Sequence, residues 1–171
     1  MTGHPKDHRK LWLENLIKEK DLRIGAELGV QAGITHLHLL ENCPNLTLIG
    51  IDLYHNKNPD KFFAQEKQYK DLMIKLEEYG DRSIFYREST FKAHRKIDDA
   101  SLDFVFIDAG HGYDDVKKDI TNWMPKIKED GFIIGHDYTL SSVSKAVKEK
   151  LGRVNTGPDM IWWKSCNGSD S

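Results

Sequence analysis

The feature that most restricts the fold of this chain is a set of short, almost wholly apolar runs that end in acidic residues. Two examples are LTLIGID, which ends at Asp52, and LDFVFID, which ends at Asp108. Strands that are buried on both faces have near-continuous apolar sequences, whereas half-exposed strands alternate. Helical patterns separate the runs, which is the βαβ rhythm of a parallel sheet. The sequence therefore predicts a doubly wound α/β fold with helices on both faces of the sheet.

The same sequence patterns predict approximate bounds for each helix and strand. It predicts strands at 23–28, 46–52, 83–86, 102–108 and 132–136, and a final strand pair around 154 and 160–164. It predicts helices at 8–20, 34–40, 60–79, 90–96, 114–128 and 141–151. Gly80 and Gly131 are expected to follow two of these helices as C′ glycines. Pro125 is expected either to kink the fifth helix or to start its last turn.

Length and composition favour one globular domain. The 171 residues suit a single core, and no repeat or Gly/Ser/Pro-rich linker divides them. We expect one domain over 1–171, with an amphipathic helix in 1–20 that packs on the sheet or covers the site, and a flexible tail at 167–171. No apolar stretch is long enough to cross a bilayer, and residues 1–10 show no secretory signal. These observations favour a soluble, cytoplasmic protein without a membrane partner.

Charge and cysteine content argue against several kinds of partner. The formal net charge is -2, and the acidic and basic residues are interleaved along the chain. A basic footprint for a nucleic-acid backbone is therefore not expected, and the cluster at 92–96 is interpreted as a solvated helix face. Cys43 and Cys166 do not form a C-x-x-C pair, so we expect two reduced thiols. A small-molecule partner is favoured.

Candidate binding residues follow the first two strands. Ligands of open parallel sheets bind outside the carboxyl ends of the strands, and ELGVQAG at 27–33 leads from such an end into a helix. Its glycines allow a tight turn and let a ligand approach the backbone. Asp52 follows about twenty residues later and can accept hydrogen bonds from ribose hydroxyls. Asp52 could also be a turn cap, and the loop lacks the G-x-G-x-x-G spacing of dinucleotide folds.

These residues resemble the class I S-adenosylmethionine-dependent methyltransferases. IDAGHGY at 107–113 and DGFIIGHDY at 130–138 are similar to motifs of a small bacterial and phage branch of that family. The resemblance implies a Rossmann-like seven-stranded sheet with strand order 3-2-1-4-5-7-6, and S-adenosylmethionine as the methyl donor. The positions that it implies for cofactor binding are Glu27, Gly29, Val30, Gly33, Asp52, Leu53, Glu88, Ser89 and Asp108. Ser89 reads equally well as the N-cap of the following helix.

The second half of the chain suggests a metal-assisted reaction. Asp108 and Asp137 end neighbouring strands and would converge at the rim, as hard ligands for Mg²⁺ or Mn²⁺ do. The related catechol-type O-methyltransferases carry an amide where this chain has Tyr138, so we expect His111 or His136 as the third ligand, and a histidine ligand would also suit a softer ion such as Mn²⁺ or Zn²⁺. His111 also stands where those enzymes carry a lysine base, which makes it our candidate general base. The predicted catalytic residues are thus His111, Asp108 and Asp137.

The remaining histidines lack a partner at ligand spacing. They are His4, His8, His36, His38, His55 and His94, and we interpret them as surface or helix histidines.

The predicted reaction is methyl transfer to a hydroxyl oxygen of a small acceptor such as a sugar, a glycoside or a phenol. The chain has little room for a substrate domain, so a homo-oligomer could complete the pocket.

An NAD-dependent oxidoreductase is an alternative, disfavoured because Glu27 replaces the first glycine of the dinucleotide motif. A nucleic-acid adenine methyltransferase is disfavoured because D-A-G-H stands in place of an N/D-P-P-Y/F run. A cofactor-binding module or inactive homologue remains open.

Overall fold

The computed structural model describes residues 6–55 and 58–167, and these ranges hold six α-helices and seven strands. The helices are α1 Lys6–Glu19, α2 Ile34–Asn42, α3 Pro59–Leu76, α4 Thr90–Ala93, α5 Tyr113–Trp123 and α6 Ser141–Leu151. The strands are β1 Ile24–Leu28, β2 Thr47–Ile51, β3 Ser83–Tyr86, β4 Leu102–Ile107, β5 Ile127–Gly135, β6 Asn155–Thr156 and β7 Trp162–Ser165. Three 3₁₀ segments, Glu77–Arg82, His94–Lys96 and Met124–Lys126, extend α3, α4 and α5.

The strands form one mixed sheet in the order β3-β2-β1-β4-β5-β7-β6, which confirms the predicted order. The first five strands are parallel, while β7 runs antiparallel to both β5 and β6. A parallel sheet requires helical crossovers, and these cover its two faces.

Alternate residues of the central strands supply two separate cores. Phe104 and Phe106 of β4 pack in the cluster that contains the buried residues of α1, α2 and α3. Val105 and Ile107 pack on the opposite face with α4, α5 and α6. Successive strand residues point to opposite faces, so one apolar run serves both layers.

Strand register aligns the carboxyl ends of the four central strands. Leu28 pairs with Ile51 of β2 and Ile107 of β4, and Ile107 pairs in turn with Gly135 of β5. Residues that follow these positions therefore emerge side by side at one edge of the sheet. This edge carries every strand-end group that the sequence singled out after β1, β2, β4 and β5.

The fifth helix is shorter than expected. It ends at Trp123 rather than near 128, and Pro125 lies in the first turn of the 3₁₀ segment that follows. Proline has no N–H to donate and its ring clashes with the preceding turn, so the helix cannot continue through it. The chain then enters β5 at Ile127. Gly131 is consequently a strand residue beside a register shift, and the expectation of a C′ glycine there was wrong.

The other boundaries agree with the prediction or differ from it by at most three residues. Helix α3 ends at Leu76, three residues before the expected end, and a 3₁₀ segment follows it. Gly80 has a φ of +52° inside that segment, so it interrupts the helical backbone there and is not the C′ residue of α3. The final pair is β6 and β7, with Met160 in the turn before β7 rather than in the strand. Of the expected tail, only Asn167 belongs to the described residues. Cys43 and Cys166 are free thiols, as expected.

Within the described ranges, each helix is too short or too polar to cross a lipid bilayer.

Candidate active site

A cleft of about 340 Å³ opens at the carboxyl edge of the sheet. Its walls come from the loop after β1, the end of β2, the start of α4, and the segment from Asp108 into α5. The lining residues are Gly29, Gln31, Ile51, Asp52, Leu53, Gln65, Ser89, Thr90, Phe91, Asp108, Ala109, Gly110, Asp115 and Asp119. A second cavity of about 80 Å³ shares Gly29, Gln31 and Asp108 with it, so the two spaces adjoin.

The loop after β1 depends on two glycines with left-handed backbone. Gly29 has a φ of +86°, and an added Cβ would lie 2.3 Å from the carbonyl oxygen of Asp108. Gly33 has a φ of +75° and precedes α2, where an added Cβ would lie 2.4 Å from Leu72 Cδ1. Gly29 therefore brings β1 and β4 together at the cleft. Gly33 lines neither cavity and serves the packing of α2 against α3.

Glu27 forms a buried pair that the sequence analysis missed. It is 3% exposed, and its Oε2 lies 2.9 Å from Nδ1 of His36, which is fully buried on α2. His36 was interpreted as a surface or helix histidine; it lies on helix α2, but the surface alternative was wrong, because α2 turns that side chain inward. Leu39 and Leu40, three and four residues later on α2, are both buried, so helical spacing could have placed His36 on the buried face. Glu27 also lines the smaller cavity, together with Val30.

Asp52 organises the two loops that flank it. Its Oδ2 accepts a hydrogen bond from the backbone N–H of Gln31, and its Oδ1 accepts one from that of Tyr54, both at 2.9 Å. Gln31 and Tyr54 both have positive φ, and the Tyr54 hydroxyl donates to the carbonyl of Gln31. Strained backbone of this kind concentrates at ligand sites. The carboxylate has further lone pairs that can accept from a ligand.

The end of β3 contributes less than expected. Ser89 lines the cleft, and its Oγ accepts a hydrogen bond from the N–H of Phe91 at 3.3 Å, so it is also the N-cap of α4. Glu88 does not line the cleft; its carboxylate lies 2.8 Å from Nζ of Lys96. Leu53 lines the cleft and is 48% exposed, which leaves an apolar surface available to a ligand.

Five ionisable side chains meet beyond β4 and β5. Asp108 Oδ2 lies 2.7 Å from Nη1 of Arg9, and Asp108 Oδ1 lies 3.5 Å from Nδ1 of His136. The same nitrogen lies 3.1 Å from Asp137 Oδ1, while Asp137 Oδ2 lies 3.2 Å from Nδ1 of His111. Burial raises the pKa of Asp108 to about 6, although Arg9 and His136 oppose that rise. The structure thus brings together all the predicted metal and catalytic residues.

Two functional candidates escaped the sequence analysis. Arg9 lies on α1 and lines the smaller cavity, where its Nε is buried without a hydrogen-bond partner among the described residues. Asp119 lies on α5 at the wall of the larger cleft and is 1% exposed. The sequence of α1 predicted only its apolar stripe, and nothing in that pattern indicated that Arg9 reaches the site. Asp119 could have been found as a charged residue beside Ile120 on the buried face of α5.

Comparison with known families agrees with this architecture. Residues 26–138, more than half of the chain, match the family model described as a methyltransferase domain. This chain therefore belongs to the family of methyltransferase domains. It is 25% identical over 131 residues to the uncharacterized protein y4gI of Sinorhizobium fredii. That match covers 74% of this chain but only 14% of the relative's length.

Solved structures share the fold at low identity. The Streptomyces achromogenes O-methyltransferase TomG, solved with SAM, superposes with a TM-score of 0.67 at 14% identity, covering 98% of this chain and 82% of TomG. The SAH-bound Podospora anserina methyltransferase PaMTH1 gives 0.67 at 13% identity, covering 91% and 76%. CalS11, a TDP-rhamnose 3'-O-methyltransferase of calicheamicin biosynthesis, gives 0.65 at 13% identity, covering 92% and 79%.

Proposed function

We propose that this chain transfers the methyl group of S-adenosylmethionine to a hydroxyl oxygen of a small acceptor. The observation that carries the proposal is the pair of adjoining cavities that share Gly29, Gln31 and Asp108. The larger one suits a nucleoside, and the smaller one suits an amino-acid group. A ligand that joins these two parts through sulfur would have its sulfonium near Asp108, where a carboxylate stabilises the positive charge.

The nucleoside half would be held mainly by Asp52 and Leu53. Asp52 already accepts two backbone N–H groups and keeps acceptor capacity for the ribose hydroxyls. Leu53 offers an apolar face to the purine, and Ser89 also lines this cleft. Glu88 is not part of this proposal, because its carboxylate is paired with Lys96 away from the cleft.

The amino-acid half would meet opposite charges in the smaller cavity. Its amino group carries a positive charge, which Glu27 can balance from the end of β1. Its carboxylate needs a donor, and the buried Nε of Arg9, which lines the same cavity, is such a donor. Charge-assisted hydrogen bonds are roughly twice as strong as neutral ones, so both ends of the zwitterion would contribute to affinity.

A divalent cation agrees with the donor set at the end of β4 and β5. One ligand atom each from Asp108, His136 and Asp137 lies within 4.8 Å of the other two. Arg9 holds Asp108 Oδ2, which leaves Oδ1 on the side of His136. Two carboxylates and one imidazole suit Mn²⁺ as well as Mg²⁺. When bound, such a cation supplies Lewis acidity that lowers the pKa of an acceptor hydroxyl.

His111 would accept the proton of the acceptor hydroxyl. Its Nδ1 faces Asp137 Oδ2, which orients the ring and leaves Nε2 for the substrate. The imidazole is half exposed at the rim, so an acceptor can reach it. The acceptor oxygen then attacks the methyl carbon as the carbon–sulfur bond breaks, and the electron pair stays on sulfur. The products are the methyl ether, S-adenosylhomocysteine and a protonated His111, which returns its proton to water.

The acceptor class proposed is a sugar, glycoside or phenol hydroxyl. CalS11, a TDP-rhamnose 3'-O-methyltransferase of calicheamicin biosynthesis, and TomG, an O-methyltransferase involved in tomaymycin synthesis, share this fold. A homo-oligomer and a cytoplasmic location remain predictions from sequence.

Calorimetry can test the cofactor assignment directly. We expect S-adenosylmethionine to bind with one-to-one stoichiometry and NAD not to bind. Asp52→Ala should weaken binding by about 1–3 kcal/mol, because the ribose hydroxyls lose a charged acceptor. Thermal unfolding of the variant without ligand measures how far Asp52 also stabilises its two loops. Unchanged affinity in a folded Asp52→Ala protein would rule out the ribose assignment.

A further inference from the structure

His36 is a fully buried histidine that the proposed reaction leaves without a role. Its Nδ1 lies 2.9 Å from Oε2 of Glu27, which is itself almost inaccessible to solvent. An ionised carboxylate only accepts hydrogen bonds, so Nδ1 is the ring nitrogen that donates in this pair. Burying two polar side chains costs free energy, and a well-packed apolar pair often stabilises a core equally well. Stability alone therefore does not account for the pair.

The sheet makes room for the His36 ring beside Glu27. Gly50 pairs with Glu27 across β1 and β2, and a Cβ added to Gly50 would lie 3.0 Å from Cε1 of His36. Phe85 of β3 meets the imidazole edge-on, with 6.4 Å between the ring centroids. The other ring nitrogen, Nε2, is buried without a hydrogen-bond partner among the described residues. Packing thus holds the ring in an orientation whose polar contact is the Glu27 carboxylate.

Glu27 presents a negative charge to the smaller cavity that the guanidinium of that cavity does not balance. Arg9 and Glu27 both line the cavity, but Nη1 of Arg9 lies 2.7 Å from Oδ2 of Asp108. A neutral imidazole orients the Glu27 carboxylate without cancelling its charge. A carboxylate can accept about four hydrogen bonds, so one bond from His36 leaves acceptor capacity for a cationic group of the ligand.

We propose that His36 is a positioning residue, which fixes the Glu27 carboxylate so that it can bind the α-amino group of the cofactor. The proposal rests on S-adenosylmethionine being the cofactor and on Glu27 meeting its amino group. His36 itself lines neither cavity, so it acts through Glu27 and does not contact the ligand. Charge-assisted hydrogen bonds depend on geometry, and a carboxylate free to rotate would bind the ammonium group less well.

The test compares two ligands by calorimetry on the full chain. They are S-adenosylhomocysteine and its desamino analogue, in which hydrogen replaces the α-amino group. We expect the wild-type protein to prefer S-adenosylhomocysteine by roughly tenfold to a hundredfold. His36→Leu should reduce that preference at least threefold, because it removes the donor that orients Glu27, while the desamino analogue should bind nearly as well as before. A purely structural role of His36 would weaken both ligands equally and leave the ratio unchanged.

Two amide variants separate the hydrogen bond from the packing of the ring. An asparagine amide nitrogen can occupy the position of Nδ1, whereas a glutamine amide nitrogen reaches the position of Nε2. His36→Asn should therefore retain much of the wild-type preference, and His36→Gln should lose it. Thermal unfolding without ligand shows whether each variant is folded.

His38→Leu is the matched control on the same helix. His38 also pairs with a buried carboxylate, with 2.7 Å between its Nε2 and Oε2 of Glu14, and both residues lie outside the two cavities. Removing this pair should leave the ratio of the two affinities at the wild-type value.

The outcomes distinguish this proposal from the cofactor assignment. If the wild type binds S-adenosylhomocysteine and His36→Leu keeps the full preference, the positioning role is wrong and the cofactor assignment stands. A wild type that binds both ligands equally leads to the same conclusion. If the wild type binds neither ligand, both proposals fall. Should His36→Leu fail to fold, the amide variants decide, since equal ratios in His36→Asn and His36→Gln would overturn the role of His36.

Discussion

The guanidinium of Arg9 on α1 binds the carboxylate of Asp108 at the end of β4, with 2.7 Å between Nη1 and Oδ2. The two residues are 99 positions apart in the chain. A second contact holds the same part of α1, because the backbone N–H of Arg9 donates to Asp159 Oδ2 at 2.9 Å. The first helix therefore both packs on the sheet and closes one side of the candidate site.

Replacing Arg9 by Met should weaken S-adenosylmethionine binding by about 1–3 kcal/mol, because the amino-acid carboxylate loses a charged donor. The variant should also lower the free energy of unfolding, since Asp108 would remain buried without its cation. Arg9→Lys keeps the charge and should retain part of the affinity. Calorimetry and denaturant unfolding measure the two effects. Wild-type affinity in Arg9→Met would show that Arg9 has only a structural role.

Gly29→Ala should lower the free energy of unfolding by roughly 1–3 kcal/mol and weaken cofactor binding. The added Cβ would lie 2.3 Å from the Asp108 carbonyl oxygen, and the φ of +86° disfavours any side chain. Gly152→Ala is the control, because Gly152 has a φ of +70° with open space around its Cβ position. Backbone strain acts in both variants, but only Gly29→Ala should affect binding. Normal binding by Gly29→Ala would mean that the loop does not contact the ligand.

The sequence predicts the sheet and the strand-end residues well because both follow from local patterns. Continuous apolar runs identify buried strands, and parallel strands bring their carboxyl ends to one edge, so Asp52, Asp108 and Asp137 could be assigned to that edge. Contacts that depend on how the helices pack could not be predicted from local sequence patterns. The pairs Arg9–Asp108 and His36–Glu27 join residues on different elements, and nothing in the spacing of either pair signals a contact.

The start of β5 shows a second limit of predicting structure from the sequence. Ile127 continues the helical spacing of Val116, Ile120 and Met124, yet it lies in a strand because Pro125 ends the helical segment. The effect of a proline on the residues after it depends on tertiary pairing, here with β4.

Asp119→Asn should make the unliganded protein more stable at neutral and alkaline pH. Burial raises the pKa of Asp119 to about 7. A raised pKa means that the folded chain holds this proton more tightly than the unfolded chain does, so wild-type stability falls as pH rises from about 4 to 7. Asparagine does not titrate, and the difference in unfolding free energy between variant and wild type should therefore grow across that window, by at most roughly 4 kcal/mol.

Denaturant unfolding at a series of pH values, with Asp114→Asn as a flat control, measures this difference. A variant that is less stable than wild type at pH 8 would indicate that the Asp119 carboxylate is a structural cap and would contradict the expectation.

Asp137→Asn should suppress methyl transfer far more than it weakens S-adenosylmethionine binding. Asp137 is paired with His111 and His136 at the rim and lines neither of the two cofactor cavities. Titration of Mn²⁺ into wild type and variant gives a second readout that does not depend on turnover, and the variant should bind the ion more weakly. Equal Mn²⁺ binding in both proteins, or full wild-type activity in excess chelator, would exclude the metal site.

His111→Ala should slow methyl transfer by roughly 10²- to 10⁴-fold, the usual contribution of a general base. S-Adenosylmethionine affinity should stay at the wild-type level, because His111 lies outside both cofactor cavities. His8→Ala is a suitable control, since His8 is an exposed histidine on α1 whose Nδ1 lies 4.0 Å from Asp159 Oδ1. Equal rates for His111→Ala and wild type would show that the acceptor loses its proton elsewhere.

The most direct test of the central claim is a transfer assay with S-adenosylmethionine labelled on its methyl group. Hydroxylated sugars, glycosides and phenols would be screened as acceptors, with and without Mg²⁺ or Mn²⁺, and the products examined by mass spectrometry. We expect label on an acceptor oxygen, S-adenosylhomocysteine in equal amount, and dependence on the cation. Label on nitrogen or carbon would contradict oxygen transfer, and a protein that binds the cofactor but methylates no acceptor in the screen would contradict the assignment of a methyltransferase for small hydroxylated molecules.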